Sequence, residues 1–238
     1  MLKRKLITAA IFFILMPALI LLGYFFIRGK QYYIVSLVVC ILSFVPFFLS
    51  LERKKLQARE LVTMASITAL AVASRAAFFF LEQAKPTAAI VILAAIAFGP
   101  EFGFSVGALS MLLSNMIFGQ GMWTPFQMLG MGLTAYVCGL LFHRSFKKES
   151  VLFSGFVCGV CCFAIYGFTV DSSSVLMWVP VLSLKSVLPV YASGLVFNAI
   201  HGIVTAILIV CFGKPVFERM TRVKVKYQLF GEKNEKEN

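Results

Sequence analysis

Unbroken apolar blocks dominate this chain, and their length limits what it can become. Residues 6–27, 32–51 and 61–81 each form such a block of about 20 residues, the length at which a helix crosses a hydrocarbon core about 30 Å thick. The chain is 60% hydrophobic and only 13% charged, about half the charged fraction of ordinary soluble domains. The pattern predicts an all-α integral membrane protein. No remaining stretch is large enough for a soluble domain beyond the C-terminal tail.

The net charge of +12 would point to nucleic acid if it covered a soluble face. Here the positive residues cluster at the ends of apolar blocks. With both termini cytoplasmic and the blocks alternating, 17 Lys and Arg fall inside and four outside (Arg28, Lys30, Lys85, Lys185). That bias reports topology in a multi-pass cell-membrane protein and predicts no nucleic-acid partner. The first block is too long for a signal-peptide core and lacks a small-x-small cleavage site, so it reads as a retained helix. The six cysteines all lie in apolar blocks and read as packing residues. The Cys158-x-x-Cys161-Cys162 run lacks a second ligand pair at metal spacing, so no metal or other cofactor is expected.

The chain divides into three parts. Residues 1–60 hold two extra N-terminal transmembrane helices and the basic linker ERKKLQARE; residues 61–213 form a membrane domain; residues 214–238 form a basic cytoplasmic tail. Within the middle part, the apolar run from Pro86 to Phe98 gives about 20 Å of helix, too short to span alone. Irregular backbone at membrane depth is tolerated where it lines a cavity, so the short helix points to a pocket on the outer side. Gly99, Gly103 and Gly107 recur every fourth position and predict close packing of the helix at 101–118. Thr124-Pro125-Phe126-Gln127 reads as a capping box opening the next helix, to about His143. A span at 151–169 follows, then an irregular outer segment at 171–189. A last span at 190–212 is terminated by Lys214-Pro215.

Ala65, Ala69, Ala73 and Ala77 form a stripe on one face of the 61–81 helix, along which another backbone can approach closely. Arg75 lies about 200° around from Ala73 and points the other way. A charge at membrane depth is costly and faces a cavity or a partner, here a ligand or Glu82. Gln120, Trp123, Thr124 and Gln127 sit around one outer loop, where amide and indole groups suit a large amide-rich ligand. Capping and the interfacial aromatic belt are the competing readings, the latter for Trp178 as well. Asn115, Asn198 and His201 are polar groups within the membrane, suited to interhelical hydrogen bonding or to ligand contact. Lys185 and Tyr191 are candidate lid residues.

Residues 57–228 resemble the substrate-binding S components of energy-coupling factor (ECF) transporters. The spaced alanines, the run GFSVGALSMLLSNMIFGQGMWTPFQM (103–128) and the stretch LVFNAIHGIVTAILIVCFGKPVFERM (195–220) carry the likeness. The resemblance implies a six-helix bundle, here preceded by the two extra helices. It implies capture of a vitamin, cobalamin or a precursor by the nearest-looking members. It also implies toppling on a transmembrane coupling protein driven by two cytoplasmic ATPases. It places the coupling-protein contact on Ala65, Ala69, Ala73 and Ala77, and substrate contact on the loops 82–87, 119–125 and 171–189. On physical grounds the substrate-contact candidates are Arg75, Asn115, Gln120, Trp123, Gln127, Trp178, Lys185, Tyr191 and Asn198.

Two other classes compete. An intramembrane enzyme needs paired catalytic groups, and the sequence holds no H-E-x-x-H and only one aspartate, Asp171. A channel or secondary carrier needs a polar path through the inner half, where little polar lining is found. The chain is therefore read as a non-enzyme. It has no phosphate-binding G-x-x-x-x-G-K-[ST] loop, so any energy must come from separate ATPases.

Overall fold

A computed structural model describes residues 57–81 and 84–231. The expected N-terminal helices, both termini and Glu82 lie outside the described residues. Every regular element described is helical: α1 (Ala58–Ala77), α2 (Thr87–Phe98), α3 (Pro100–Phe118), α4 (Thr124–Phe142), α5 (Val151–Cys161), α6 (Gly167–Trp178) and α7 (Leu184–Lys226). A single π turn, Cys162–Tyr166, joins α5 to α6 without a break. The described residues thus form six rods. Five are long and apolar enough to cross a membrane, and α2 is the exception.

The short α2 does not need to span, because it is surrounded by protein. Eleven of its 12 residues are buried, and α1, α3, α4 and α7 all pack on it. Its alanines make that possible. A Cβ added at Gly103 would collide with Ala95, and one at Gly139 would come within 2.9 Å of Pro100 Cα and 3.1 Å of Ala95 Cβ. Gly107 approaches Met131 of α4 instead, where an added Cβ would lie 3.0 Å from backbone atoms. Gly99 plays a different part from its two neighbours in the four-residue series. Its φ of 116° forms the turn between α2 and α3, in a region open chiefly to glycine.

A second close crossing ties α5 to α7. A Cβ on Gly159 would sit 2.7 Å from the Gly202 carbonyl oxygen, and one on Gly202 2.8 Å from that of Gly159. At such contacts dispersion between backbones replaces the hydrophobic drive that lipid cannot supply.

Three boundaries differ from those expected. The outer segment after 169 is not irregular: α6 continues to Trp178 and α7 begins at Leu184, leaving only 179–183 between them. Ser183 caps α7, its hydroxyl accepting from the Ser186 N–H at 3.2 Å. Nor does Lys214-Pro215 end the last helix, which runs 43 residues, about 65 Å, with Pro189 and Pro215 inside it. Proline forfeits one backbone hydrogen bond there, but burial of Phe217, Met220 and Lys224 holds the helix on course. Finally, the tail folds back beneath the bundle. Phe230 packs on Phe102 (5.6 Å between ring centroids) and donates its N–H to Glu60 Oε1 at 2.7 Å.

Candidate functional site

Arg75 leaves α1 in its last turn and points into the bundle. Its Nη1 donates to the Ser114 hydroxyl and, at 2.9 Å, to Asn115 Oδ1 on α3. Its guanidinium also lies 5.6 Å from the centre of the Phe118 ring. Asn115 is 2% exposed, and its Nδ2 donates to Thr124 Oγ1 at 3.1 Å and Gln127 Oε1 at 2.8 Å on α4. One amide therefore links three helices, and it draws a half-buried cation into an aligned polar chain. The capping-box reading of Thr124 and Gln127 fails for this reason. Trp123 occupies the cap, with no side-chain capping bond, and both polar side chains are engaged by Asn115. Only the proline of that signal, just inside the helix start, keeps its expected role.

Beside this chain lies a hollow of about 90 Å³, lined by Arg75, Lys85, Thr87, Met111, Gln127, Met131, Tyr166 and His201. All six rods contribute to it, together with Lys85 from the connection leading into α2. Tyr166 and His201 stack with ring centroids 5.2 Å apart and an interplanar angle of 21°. Arg75 and Lys85 give the described lining two cations and no carboxylate. Such a site suits a planar, carbonyl-bearing ligand, with aromatic faces for its ring and donors for its oxygens. Toward the opposite end the bundle is filled by Ile92, Ala95, Ile96, Phe98 and Phe102, all at most 5% exposed.

Of the substrate candidates, Arg75 and Gln127 line the hollow and Asn115 positions both. The others lie elsewhere. Gln120 is exposed and donates to the Leu112 carbonyl at 3.0 Å. Trp123 is 38% exposed, folded over Gly121, and Trp178 is 74% exposed at the end of α6. Lys185 is exposed on the first turn of α7. Tyr191 and Asn198 tie α7 to α6, through Ser172 Oγ (2.8 Å) and Asp171 Oδ2 (2.7 Å) respectively. Tyr166, Met111 and Met131 went unnoticed in the sequence, because an isolated tyrosine or methionine in an apolar run carries no positional signal.

The four alanines of the stripe, Ala65, Ala69, Ala73 and Ala77, are all exposed on the face of α1 opposite Met64, Ile67, Thr68 and Ala71, which are buried. Next to the stripe runs a hollow of about 870 Å³, between the N-terminal half of α1 and the C-terminal half of α7, with a mainly apolar surface. Its surface comes mainly from apolar residues such as Val62, Ile67, Leu70, Phe98 and Met220, with Arg59, Arg219 and Tyr227 also among its lining. We take it as a lipid- or helix-facing groove. Among the described residues no group of three or more His, Cys, Asp or Glu is placed to hold a metal.

An all-helical bundle with lipid-length rods and a cationic hollow near one end defines a membrane-embedded binding protein. Residues 55–217 match the family model described as ECF-type riboflavin transporter, S component, and the chain belongs to that family. It is an integral membrane protein and a substrate-specificity subunit of an ECF-type vitamin transporter. No curated protein and no solved structure matches the chain.

Proposed function

We propose that this subunit captures riboflavin, or a closely related flavin, from the outer side. In this reading it works with a transmembrane coupling protein and two cytoplasmic ATPases. The observation that carries the reading is the hollow itself, in which Arg75, Lys85 and Gln127 converge beside the stacked Tyr166–His201 pair. A flavin offers a flat ring with a carbonyl- and N–H-bearing edge. The ring stacks on the aromatic pair; the edge accepts from the cations and exchanges hydrogen bonds with Gln127. The family named is the riboflavin type, and the corrinoid expected from the sequence finds no support.

Ligand sites enclose about 300–1,000 Å³, so a hollow of about 90 Å³ receives only the ring's edge. Entry requires the 119–123 and 179–183 turns to part, which brings Gln120, Trp123, Trp178, Lys185, Tyr191 and Asn198 into reach as rim contacts. Delivery uses the exposed alanine stripe, against which a helix of the coupling protein can seat closely. The packed inner half favours this capture-and-deliver role over a channel or carrier.

The test is purification of the full chain from cells grown with riboflavin, followed by spectroscopy of what accompanies it. A flavin absorption band with quenched fluorescence is expected, lost on Gln127→Ala together with Arg75→Gln. Corrinoid absorption instead, or no uptake of added riboflavin at any concentration, would refute the reading.

A further inference from the structure

We propose a second binding site, for a phosphate group, at the inner end of the bundle. Lys214, Phe217, Glu218, Thr221 and Arg222 recur on one face of α7. That face meets Phe146 and Lys147 of the turn between α4 and α5, enclosing a hollow of about 450 Å³. Phe146 and Phe217 form its apolar floor, with ring centroids 4.9 Å apart, and both are buried. Around the rim stand three cations, Lys147, Lys214 and Arg222, and one carboxylate, Glu218. Among the described residues none of these four side chains has a hydrogen-bond or ion-pair partner. Three cations around one concavity raise its potential, and an anion with several acceptor oxygens relieves it.

Position specifies the source of that anion. Lys214 stands where the apolar run of α7 ends, and the basic turn containing Lys147 lies at the same end of the bundle. By the charge bias this is the cytoplasmic surface, so the pocket opens at the level of lipid headgroups. The aromatic floor suits the glycerol and first acyl carbons, and the cations suit the phosphate. A phospholipid bearing net negative charge in the inner leaflet meets both demands. A free phosphate meets only the second.

The full chain is reconstituted in phosphatidylcholine vesicles, in phosphatidylcholine with phosphatidylglycerol, and in phosphatidylcholine with inorganic phosphate in the buffer. Its unfolding midpoint and retained lipid, by native mass spectrometry, are then measured. A midpoint raised by phosphatidylglycerol assigns the site to lipid; one raised by phosphate alone assigns it to a soluble phosphate group; no rise in either overturns the proposal. The variant Lys147→Gln/Lys214→Gln/Arg222→Gln should lose about 100-fold in apparent affinity, about five-fold per cation. The variant Arg144→Gln/Lys148→Gln/Arg219→Gln removes the same charge from nearby exposed positions outside the pocket. It should lose no more than a few-fold. An equal loss in both variants would show diffuse attraction and sink the site.

Discussion

Replacing Asn115 with alanine tests the polar chain that supports the outer hollow. The side chain accepts one hydrogen bond from Arg75 and donates two, to Thr124 and Gln127. A charge-assisted bond is worth about 1.5–3 kcal/mol and a neutral one about 0.5–1.5. Measured values within membrane bundles run lower, near 0.6 kcal/mol on average, because the unfolded reference also finds partners. Arg75 retains Ser114 and the Phe118 ring, so its charge is not stranded. These terms bring the expected loss to about 3 kcal/mol, or about 6–12 °C in the unfolding midpoint for a bundle of this size. Asn115 does not line the hollow, yet flavin affinity should fall as well, since Arg75 and Gln127 lose their common anchor. Asn115→Asp separates the two halves of the chain. It keeps an acceptor for Arg75 but loses both donors toward α4, so it should melt between the parent and the alanine variant. The assay is thermal unfolding in detergent with riboflavin titrated by fluorescence quenching. An alanine variant that melts and binds like the parent would refute the claim that this amide organises the site.

Leucine at Ala69 and Ala73 should abolish transport in vesicles containing the coupling protein and ATPases, while riboflavin affinity stays within a few-fold; a parallel loss of both would place the stripe in internal packing. Gly202→Leu forces a side chain into the Gly159 carbonyl. It should destabilise the bundle by about 1–3 kcal/mol or more, read as a lower unfolding midpoint. Glu60→Ala removes the acceptors of the Gln57 and Phe230 N–H groups. It should cost about 1–3 kcal/mol and speed proteolysis after Lys226, and an unchanged cleavage rate would show that the tail is held by its phenylalanine contacts alone.

Much of the outer architecture was legible because it depends on local pattern. Block length pointed to the helical membrane class, which the described helices have. The angle between Ala73 and Arg75 on one helix placed alanines outward and the guanidinium inward, as the structure has them. These are properties of single helices, set by 3.6 residues per turn and by the cost of charge in lipid.

What only tertiary packing decided is which polar groups meet. Thr124 and Gln127 have the spacing of a cap, but Asn115 from another helix competes for them and wins. Pro215 marks a stop locally, yet Phe217 and Met220 find a buried surface that carries α7 past it. Trp178, expected in an irregular outer segment, and Lys185, a candidate lid residue there, instead stand exposed on helices that continue almost to the turn. Tyr166 and His201 are 35 positions apart and become one stacked wall through the crossing at Gly159 and Gly202. In lipid, where apolar burial distinguishes little between one helix pairing and another, such glycine contacts and shared hydrogen bonds choose the neighbours. Both kinds of contact depend on two segments at once, so the sequence shows their halves and the fold alone joins them.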